Sequence, residues 1–227
     1  MSLFLIILAG GEGKRLKSNR PKPYYKVNNK TLLEHSLVSF RNFKKIKKTL
    51  IVYNKKHKKH LKKLNLKKVL FVVGGKTRKE STFAALKKIR KMNCTKVLIH
   101  DAARPMPCKK IIAEIINKLE KNHAVIPVIK VNDATKRIEK NIVFKNIKRN
   151  DLRLSQTPQG FTFKKIYEKH KKNINESFDD DSALFTNEGE KVITINGNIK
   201  NLKITDQEDI NLFKSLKRGK TYFGIGY

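Results

Sequence analysis

The sequence has few cysteines, few acidic residues and no long apolar run, and each shortage excludes a class of protein. Only Cys94 and Cys108 occur among the 227 residues, which excludes a small secreted scaffold held together by disulfides. No apolar run approaches about 18 residues, so no membrane-spanning helix is predicted. The apolar segment Met1–Ala9 lacks a basic flank and a cleavage site, and is typical of a buried strand. We therefore expect a cytoplasmic protein with no membrane partner.

Acidic residues are few: the chain has 53 Lys and Arg but only 19 Asp and Glu, which gives a formal net charge of +34. Such a charge points to nucleic acid, because lysines displace counterions from phosphates. The lysines are spread along the chain, however, and few aromatic residues lie among them to stack on bases. Even the densest run, Lys44–Lys68, has helix-like spacing with Leu61, Leu64 and Leu66 as its apolar stripe. The charge favours a solvated basic surface over a nucleic-acid site, and it also suits the steering of small anions.

Apolar residues make up 39% of the chain, enough for one sizeable core. Short aliphatic runs alternate with amphipathic segments, which predicts an α/β fold: a Rossmann-like, mostly parallel sheet with helices on both faces. Thr31 and Glu34 have the spacing of a capping box at the start of the first helix. The predicted strands are Leu3–Ala9, Leu50–Tyr53, Val69–Val73, Val97–His100 and Ala124–Val131. The predicted helices are Thr31–Phe40, Glu80–Lys91 and Lys109–Lys121.

The alternation stops after Val131. Short alternating segments around Glu139-Lys140-Asn141 predict a hairpin, an inserted β-arm over about residues 134–152 where a partner chain could dock. One domain over residues 1–218, carrying this arm, is the simplest organisation.

Four further elements are predicted after the arm. They are a helix at Thr162–Lys171, a short helix at Asp181–Glu188 ended by Gly189, a strand at Val192–Ile195 and a final helix. Thr205 and Glu208 have capping-box spacing at the start of that final helix, and Gly219 would close it.

A glycine-rich segment follows the first strand directly, Leu8-Ala9-Gly10-Gly11-Glu12-Gly13-Lys14-Arg15-Leu16. Glycines let backbone N–H groups approach phosphates closely, and a helix N-terminus favours anions. The spacing matches neither a Walker A loop nor the dinucleotide-binding fingerprint. Arg20-Pro21-Lys22 then places a lysine on a stiff segment, because proline restricts its own φ and the residue before it. A glycine cradle with fixed cations suits triphosphate chemistry, which depends on positioning and charge.

This loop and three later segments resemble the 2-C-methyl-D-erythritol 4-phosphate cytidylyltransferase family from about Leu3 to Leu216. The later segments are Gly74-Gly75 with Arg78 and Ser81, His100-Asp101-Ala102-Ala103-Arg104-Pro105, and Gln156-Thr157-Pro158-Gln159. The resemblance implies a fold of the nucleotide-diphospho-sugar transferase type. It also implies the transfer of CMP from CTP to a sugar-alcohol phosphate, by in-line attack on the α-phosphorus with release of pyrophosphate.

The resemblance further implies a role for each matched position. Arg15 and Lys22 would be the catalytic pair, and Asp101 would bind Mg²⁺ that bridges the phosphates. The nucleotide would contact Ala9, Gly10, Gly11, Gly74, Gly75, Ser81 and Ala102. The acceptor substrate would contact Arg104, Thr135, Arg149, Thr157 and Lys203. Because Arg149 lies on the arm, it would serve the neighbouring subunit, which implies a homodimer.

Several of these positions also have plain structural interpretations. Gly74-Gly75 fits an ordinary strand-to-helix turn, and Thr157-Pro158 a plain turn. The family's Asp-Thr-x-Lys is replaced here by Asp133-Ala134-Thr135-Lys136, so either Thr135 makes the substrate contact after a local shift or the contact is lost. Asp179 and Asp180 could aid metal binding or cap a helix.

Two alternative functions and one extension stay open. A related cytidylyltransferase acting on ribitol 5-phosphate would share most of the site, and a basic nucleic-acid-binding protein could reuse the fold. The final residues, Tyr222–Tyr227, resemble the opening strand of a cyclodiphosphate synthase module. The tail 219–227 is therefore expected to be the start of a second module of a bifunctional enzyme.

Overall fold

The computed structural model describes residues 2–16, 18–174, 176 and 178–218. The strands, numbered in chain order, are β1 Leu3–Ala9, β2 Lys26–Val27, β3 Lys30–Thr31, β4 Ile46–Tyr53, β5 Val69–Val73, β6 Lys96–Asp101, β7 Ala124–Lys130, β8 Thr135–Glu139, β9 Ile142–Ile147, β10 Arg153–Ser155, β11 Gln159–Thr162 and β12 Ile193–Asn196. The α-helices are α1 Leu32–Phe40, α2 Lys58–Lys62, α3 Arg78–Ile89, α4 Lys109–Lys118, α5 Phe163–Lys172, α6 Ala183–Thr186 and α7 Gln207–Lys217. None of the helices described is long and apolar enough to cross a membrane.

The central strand β1 shows why helices cover both faces of the sheet. Its side chains alternate between the two faces, as the pleat requires. Leu3, Leu5 and Ile7 pack into one cluster with residues of α1, α2 and α4. Phe4 and Ile6 pack into another with residues of α3, α5 and α6. An aliphatic strand buried on both sides therefore specifies a three-layer arrangement, and the predicted fold class is confirmed.

The main sheet has the strand order β10-β7-β11-β6-β1-β4-β5, and β12 also pairs with β7. The pairs β1–β4, β1–β6, β4–β5 and β7–β12 are parallel, whereas β10 and β11 run antiparallel to their neighbours. The antiparallel strands β10 and β11 lie on either side of Thr157-Pro158, where a turn is one of the two interpretations from sequence, and neither strand was predicted. They return the chain to the middle of the sheet after the arm.

The Lys44–Lys68 run contains both a strand and a helix. The strand predicted at Leu50–Tyr53 is confirmed as the buried part of β4, which begins earlier, at Ile46. The helix-like spacing of the run is borne out over a shorter stretch, because the α-helix covers only Lys58–Lys62 and Leu64 and Leu66 lie beyond its end.

Of the two predicted capping boxes, one is confirmed and the other forms one residue later than predicted. At α1 the Thr31 hydroxyl accepts from the Glu34 backbone N–H at 3.2 Å and the Glu34 carboxylate accepts in return, as predicted. At α7 the box is Asp206 with Asp209, one residue later than the predicted Thr205 and Glu208. Aspartate is a stronger N-cap than threonine, which accounts for the shift. The predicted stop at Gly219 and the tail 219–227 lie outside the described residues.

The predicted arm is a two-stranded hairpin of β8 and β9 that forms its own small sheet. Lys140 and Asn141 form the turn, each with a positive φ, the conformation that two-residue hairpin turns require. Four of its apolar side chains are exposed: Ile138 by 60%, Ile142 by 71%, Val143 by 56% and Phe144 by 63%. The arm therefore has an apolar surface that none of the described residues covers.

Candidate active site

A cavity of about 790 Å³ lies at one edge of the main sheet. Its walls come from the segments that follow three strands, Gly10–Glu12 after β1, Asn54–Lys56 after β4 and Gly74–Thr77 after β5, and from Asp101 at the end of β6. All four strands are parallel, so their carboxyl ends meet at this edge, the place where open α/β sheets bind ligands. The cavity thus collects most of the motifs that the sequence reading singled out.

The glycine-rich loop forms one wall, and its glycines differ in purpose. Gly13 has a φ of +75° and approaches Lys22 so closely that an added Cβ would lie 2.6 Å from the Lys22 Cβ. At Gly10 and Gly11 an added Cβ would meet nothing nearer than 3.7 Å and 3.8 Å. Gly13 is therefore required by the fold, whereas Gly10 and Gly11 leave open space beside the backbone.

Lys22 lies half-buried on the opposite side of this loop, in the short 3₁₀ turn Lys22–Tyr24 that follows Pro21. Burial and the charges of Lys203 and Arg15 lower the pKa of its ammonium group. Arg15 is exposed on the 3₁₀ turn Lys14–Leu16, outside the lining of the cavity. The predicted catalytic pair is thus near enough to interact electrostatically, but only Lys22 faces the cavity in this conformation.

Asp101, which lines the cavity together with the carboxylates of Glu12 and Glu80, is held by two cations. Its Oδ1 accepts a hydrogen bond from Arg78 Nε at 3.4 Å, and its Oδ2 lies 3.2 Å from Lys203 Nζ. Burial alone would raise the pKa of Asp101, but Arg78 and Lys203 outweigh it and hold the pKa well below its usual range. The carboxylate therefore stays ionised at any physiological pH.

Arg78 belongs to the site although sequence reasoning assigned it no role. Its Nη1 donates to Asp181 Oδ2 at 2.7 Å, and Asp181 Oδ1 lies 3.0 Å from His170 Nε2. Asp181 and His170 are fully buried. A signal was present in the sequence, because Arg78 stands four residues before the buried Thr82, on the inward stripe of α3. A cation at an inward position needs a buried carboxylate, but the sequence could not indicate which one.

Asp179 and Asp180 are not brought to the cavity wall. Asp180 Oδ1 accepts from the Ser182 backbone N–H at 2.9 Å, and its Oδ2 accepts from Gln159 Nε2 at 2.9 Å. Asp180 therefore stabilises the turn before α6, but the N-cap of α6 is Ser182, and Asp179 is exposed.

Asp101 is the residue that the family resemblance predicts as the ligand of a divalent metal. Among the described residues no group of three His, Cys, Asp or Glu side chains could hold an ion alone. Magnesium in nucleotide sites is commonly held by one or two carboxylates together with the phosphates. Asp101, ionised and on the cavity wall, supplies one such carboxylate, so the residues fit a metal that arrives with the nucleotide.

The other predicted nucleotide contacts are distributed unevenly. Gly10, Gly11, Gly74, Gly75 and Ser81 line the cavity. Ala9 and Ala102 are buried in the core beneath it, where the Ala102 N–H donates to the Leu8 carbonyl at 3.0 Å. Their side chains support the loop from below.

The predicted acceptor contacts fall in three places. Lys203 lines the cavity, whereas Thr157 and Arg104 are buried beside it. The Thr157 hydroxyl accepts from the Asp101 backbone N–H at 3.1 Å and pairs with His100 Nδ1 at 3.0 Å. Arg104 donates to the carbonyls of Asn201 and Ser155. In this conformation Thr157 and Arg104 therefore fix the backbone around Asp101.

Thr135 and Arg149 lie away from the main cavity. Thr135 opens β8, and Arg149 lines a separate hollow of about 370 Å³ with Lys130 and Arg153. Arg149 donates to the Asn132 carbonyl. One chain by itself does not bring the arm's two predicted substrate contacts to the cavity.

Comparison with known proteins gives a consistent result. The sequence profile of the family "IspD: 2-C-methyl-D-erythritol 4-phosphate cytidylyltransferase" matches residues 3–216. A protein of that name from Clostridioides difficile is 34% identical over 93% of this chain and 92% of its own length. The crystal structure of the Anaerococcus prevotii 4-diphosphocytidyl-2C-methyl-D-erythritol synthase is 33% identical and superposes with a TM-score of 0.80, covering 95% of this chain and 96% of that one.

Some relatives are longer. The "Bifunctional enzyme IspD/IspF" of Pelagibacter ubique is 44% identical over 100% of this chain, which spans 59% of that protein. The bifunctional IspDF structure from Campylobacter jejuni has a TM-score of 0.80 and 27% identity, covering 93% of this chain and 54% of its own.

Proposed function

This chain belongs to the 2-C-methyl-D-erythritol 4-phosphate cytidylyltransferase family, and on that premise we propose that its cavity transfers CMP from CTP to 2-C-methyl-D-erythritol 4-phosphate. The reaction releases pyrophosphate and belongs to the non-mevalonate route to isoprenoid precursors. The observation that carries the proposal is the convergence of two glycine turns, Lys22, Lys203 and Asp101 on one cavity.

The residues on the cavity wall suit this reaction through charge and position. A phosphate oxygen of the acceptor attacks the α-phosphorus in line; the new P–O bond forms as the bond to the bridging oxygen of pyrophosphate breaks. Lys22 stabilises the negative charge that gathers around the α-phosphate, and Arg15 turns in from the rim to join it. Gly10 and Gly11 let the triphosphate approach the backbone.

The base and ribose occupy the wall made by Gly74, Gly75 and Ser81. Magnesium is the metal we propose. Asp101 would hold it, and bound there it would neutralise charge on the triphosphate. Lys203 receives the phosphate of the acceptor, with Thr157 and Arg104 keeping the surrounding backbone in place.

The acceptor site is completed by a second copy of the chain. Arg149 and Thr135 lie on the arm, and the exposed apolar residues of the arm offer a surface for dimer contact. In a homodimer, the arm of one protomer would supply Arg149 to the cavity of its partner. We also propose the cytoplasm as the compartment, because both cysteines are free thiols.

Pyrophosphate release tests the proposal directly. The full chain is incubated with CTP and Mg²⁺, and with either methylerythritol 4-phosphate or ribitol 5-phosphate as acceptor. We expect turnover with the first acceptor only. Turnover with ribitol 5-phosphate alone would assign the related cytidylyltransferase activity instead. Failure with both, from a folded dimer, would overturn the proposed reaction, and salt-sensitive binding of RNA or DNA would then be measured.

A further inference from the structure

The two cations that hold Asp101 are supported very differently. Arg78 and Lys203 each contact one of its carboxylate oxygens, at 3.4 Å and 3.2 Å. The Arg78 side chain is 25% exposed and the Lys203 side chain 46% exposed. The difference matters, because a cation that binds Asp101 repels both of these positively charged groups and displaces the one that is held less firmly.

Arg78 is anchored from behind by buried groups. Asp181, whose side chain is fully buried, accepts from Arg78 Nη1 at 2.7 Å and pairs with His170 Nε2 at 3.0 Å. His170 in turn stacks on Phe83 with an interplanar angle of 9° and meets Phe178 edge-on. A planar guanidinium that bridges two carboxylates is fixed in orientation as well as position. Moving Arg78 would leave the Asp181 charge buried and unpaired, which is strongly unfavourable.

Lys203 has the opposite character. It lies in the segment between β12 and α7, and its ammonium group is a single point charge on a flexible four-carbon stem. Because it is half exposed, water can replace its contact with Asp101 at little cost. Oδ2 of Asp101 is therefore the oxygen that can exchange its partner.

We propose that Arg78, anchored by Asp181 and His170, is a positioning residue that fixes Oδ1 of Asp101 and reserves Oδ2 for exchange. Oδ2 exchanges Lys203 for the divalent cation that accompanies the nucleotide, and the released Lys203 becomes available to the phosphate of the acceptor. Arrival of the nucleotide thereby prepares the acceptor site. This inference rests on the proposed function and deepens it, because it assigns to Arg78, Asp181 and His170 the role of orienting the Asp101 carboxylate.

Binding of CTP to the full chain, measured by titration calorimetry with and without Mg²⁺, tests the role of Arg78 apart from catalysis. Asp181→Asn keeps the shape of the anchor but removes its charge, and Arg78→Lys keeps the cation but cannot bridge two carboxylates. For both we expect the Mg²⁺-dependent gain in CTP affinity to fall by about 10-fold, the lower end of what outer partners of a metal ligand contribute. For Asp181→Asn, whose side chain does not line the cavity, binding without Mg²⁺ is expected to be unchanged.

Glu188→Gln is the matched control. Glu188 pairs with the buried Lys169 of α5, the helix that carries His170, but does not line the cavity. This variant should lower the melting temperature and leave the Mg²⁺ dependence as it is in the unmodified chain. A purely structural role for Arg78 would make all three variants behave alike.

The outcomes separate this inference from the proposed function. An unchanged Mg²⁺ dependence in folded Asp181→Asn would overturn the positioning role, and so would CTP affinity that ignores Mg²⁺ in the unmodified chain. If Arg78→Lys or Asp181→Asn fails to fold, the same measurement is made on His170→Asn. The expected loss of Mg²⁺-dependent CTP affinity is smaller, because His170 contacts Asp181 and not Arg78 itself. Mg²⁺-dependent CTP binding without turnover of either acceptor would overturn only the proposed reaction.

Discussion

The sheet edge that forms the cavity and the hairpin arm use apolar residues in opposite ways. The apolar side chains of β1 pack against the two core clusters, and Leu3, Leu5 and Ile6 are fully buried. On the arm, Ile142 and Phe144 are mostly exposed. Both segments are rich in β-branched and large apolar residues, so composition alone does not separate them.

The difference lies in what each segment has to pack against. The cavity edge is supported by both core clusters, and its Asp101 pairs with Arg78 and Lys203 of the same chain. The arm pairs only with itself, and Arg149 faces a hollow apart from the cavity. A wall built within one chain suits the nucleotide site that we propose, whereas the acceptor contacts that we propose for the arm depend on the proposed second chain.

Replacement of Lys22 should have the largest effect, because it removes the central cation of the cavity wall. We expect Lys22→Ala to lower kcat by about 10²- to 10³-fold, the loss typical of one preorganised charge-stabilising group. Pyrophosphate release measures it, and gel filtration should show an unchanged oligomeric state. Lys26→Ala, an exposed lysine nearby, is the control. Equal activity of the two variants would remove Lys22 from the mechanism.

Lowering the pH should reduce the stability of the fold through His100, which is buried beneath the cavity. Burial lowers its pKa to about 4, although the Arg104 carbonyl opposes this shift. Since the unfolded chain takes up this proton near pH 6.5 and the folded chain only near pH 4, stability falls as pH falls between these values. At pH 4.5 the loss from this residue should reach about 2–3 kcal/mol.

Urea unfolding of the unmodified chain and of His100→Asn, at pH 7 and pH 4.5, measures this contribution. The acid-induced loss should be smaller in the variant by about that amount. His123→Asn, which changes an exposed histidine, serves as the control and should leave the loss as it is. Identical losses in all three proteins would show that His100 does not titrate differently in the folded state.

Arg149 tests whether the arm acts across the dimer. Removing one charge-assisted contact should raise KM for methylerythritol 4-phosphate by about 10-fold in Arg149→Ala, with KM for CTP unchanged. Mixed dimers of Arg149→Ala with Lys22→Ala should regain activity, because one of their two cavities has an intact Lys22 and receives an intact Arg149 from the partner. Activity that stays at the level of the separate variants would contradict an arm that works in trans.

Replacement of Tyr24 should have the smallest effect, and it should increase the stability of the fold. Its hydroxyl is buried without a hydrogen-bond partner among the described residues, and burial raises its pKa to about 12. Tyr24→Phe should therefore stabilise the chain by about 1 kcal/mol, since an unpaired buried polar group is lost. Thermal unfolding measures it, with Tyr25→Phe as the control at a less buried position. Destabilisation would mean that the hydroxyl has a partner in solution.

Local signals in the sequence predicted much of the fold. Continuous aliphatic runs gave the positions of β1, β5 and β7, and the Thr31–Glu34 box gave the start of α1. The antiparallel strands β10 and β11 were not predicted, because they are short and pair with strands that are distant in sequence. Periodicity reports only neighbours along the chain, so it carries no information about such pairing.

The candidate site, like the fold, was predicted from the sequence only in part. The residues of the glycine turns, Lys22, Asp101 and Lys203 were found through their resemblance to a family pattern. The Arg78–Asp181 pair joins residues 103 positions apart, and only the folded chain brings them together. Thr157 and Arg104 were assigned to substrate, yet their polar groups bond to the backbone of their own chain, a use that residue type alone does not reveal.

The late pairing of β7 has a consequence for how the protein is made. Its partners β10, β11 and β12 all follow it in sequence, so this strand leaves the ribosome before any of them exists. Until they are translated, its backbone is open to a strand from a neighbouring nascent chain. Pro127, in the middle of β7, has no N–H to offer, and its carbonyl later accepts from the Gln156 N–H at 2.9 Å. One proline thus weakens the strand as a template for aggregation during synthesis and costs the finished sheet little.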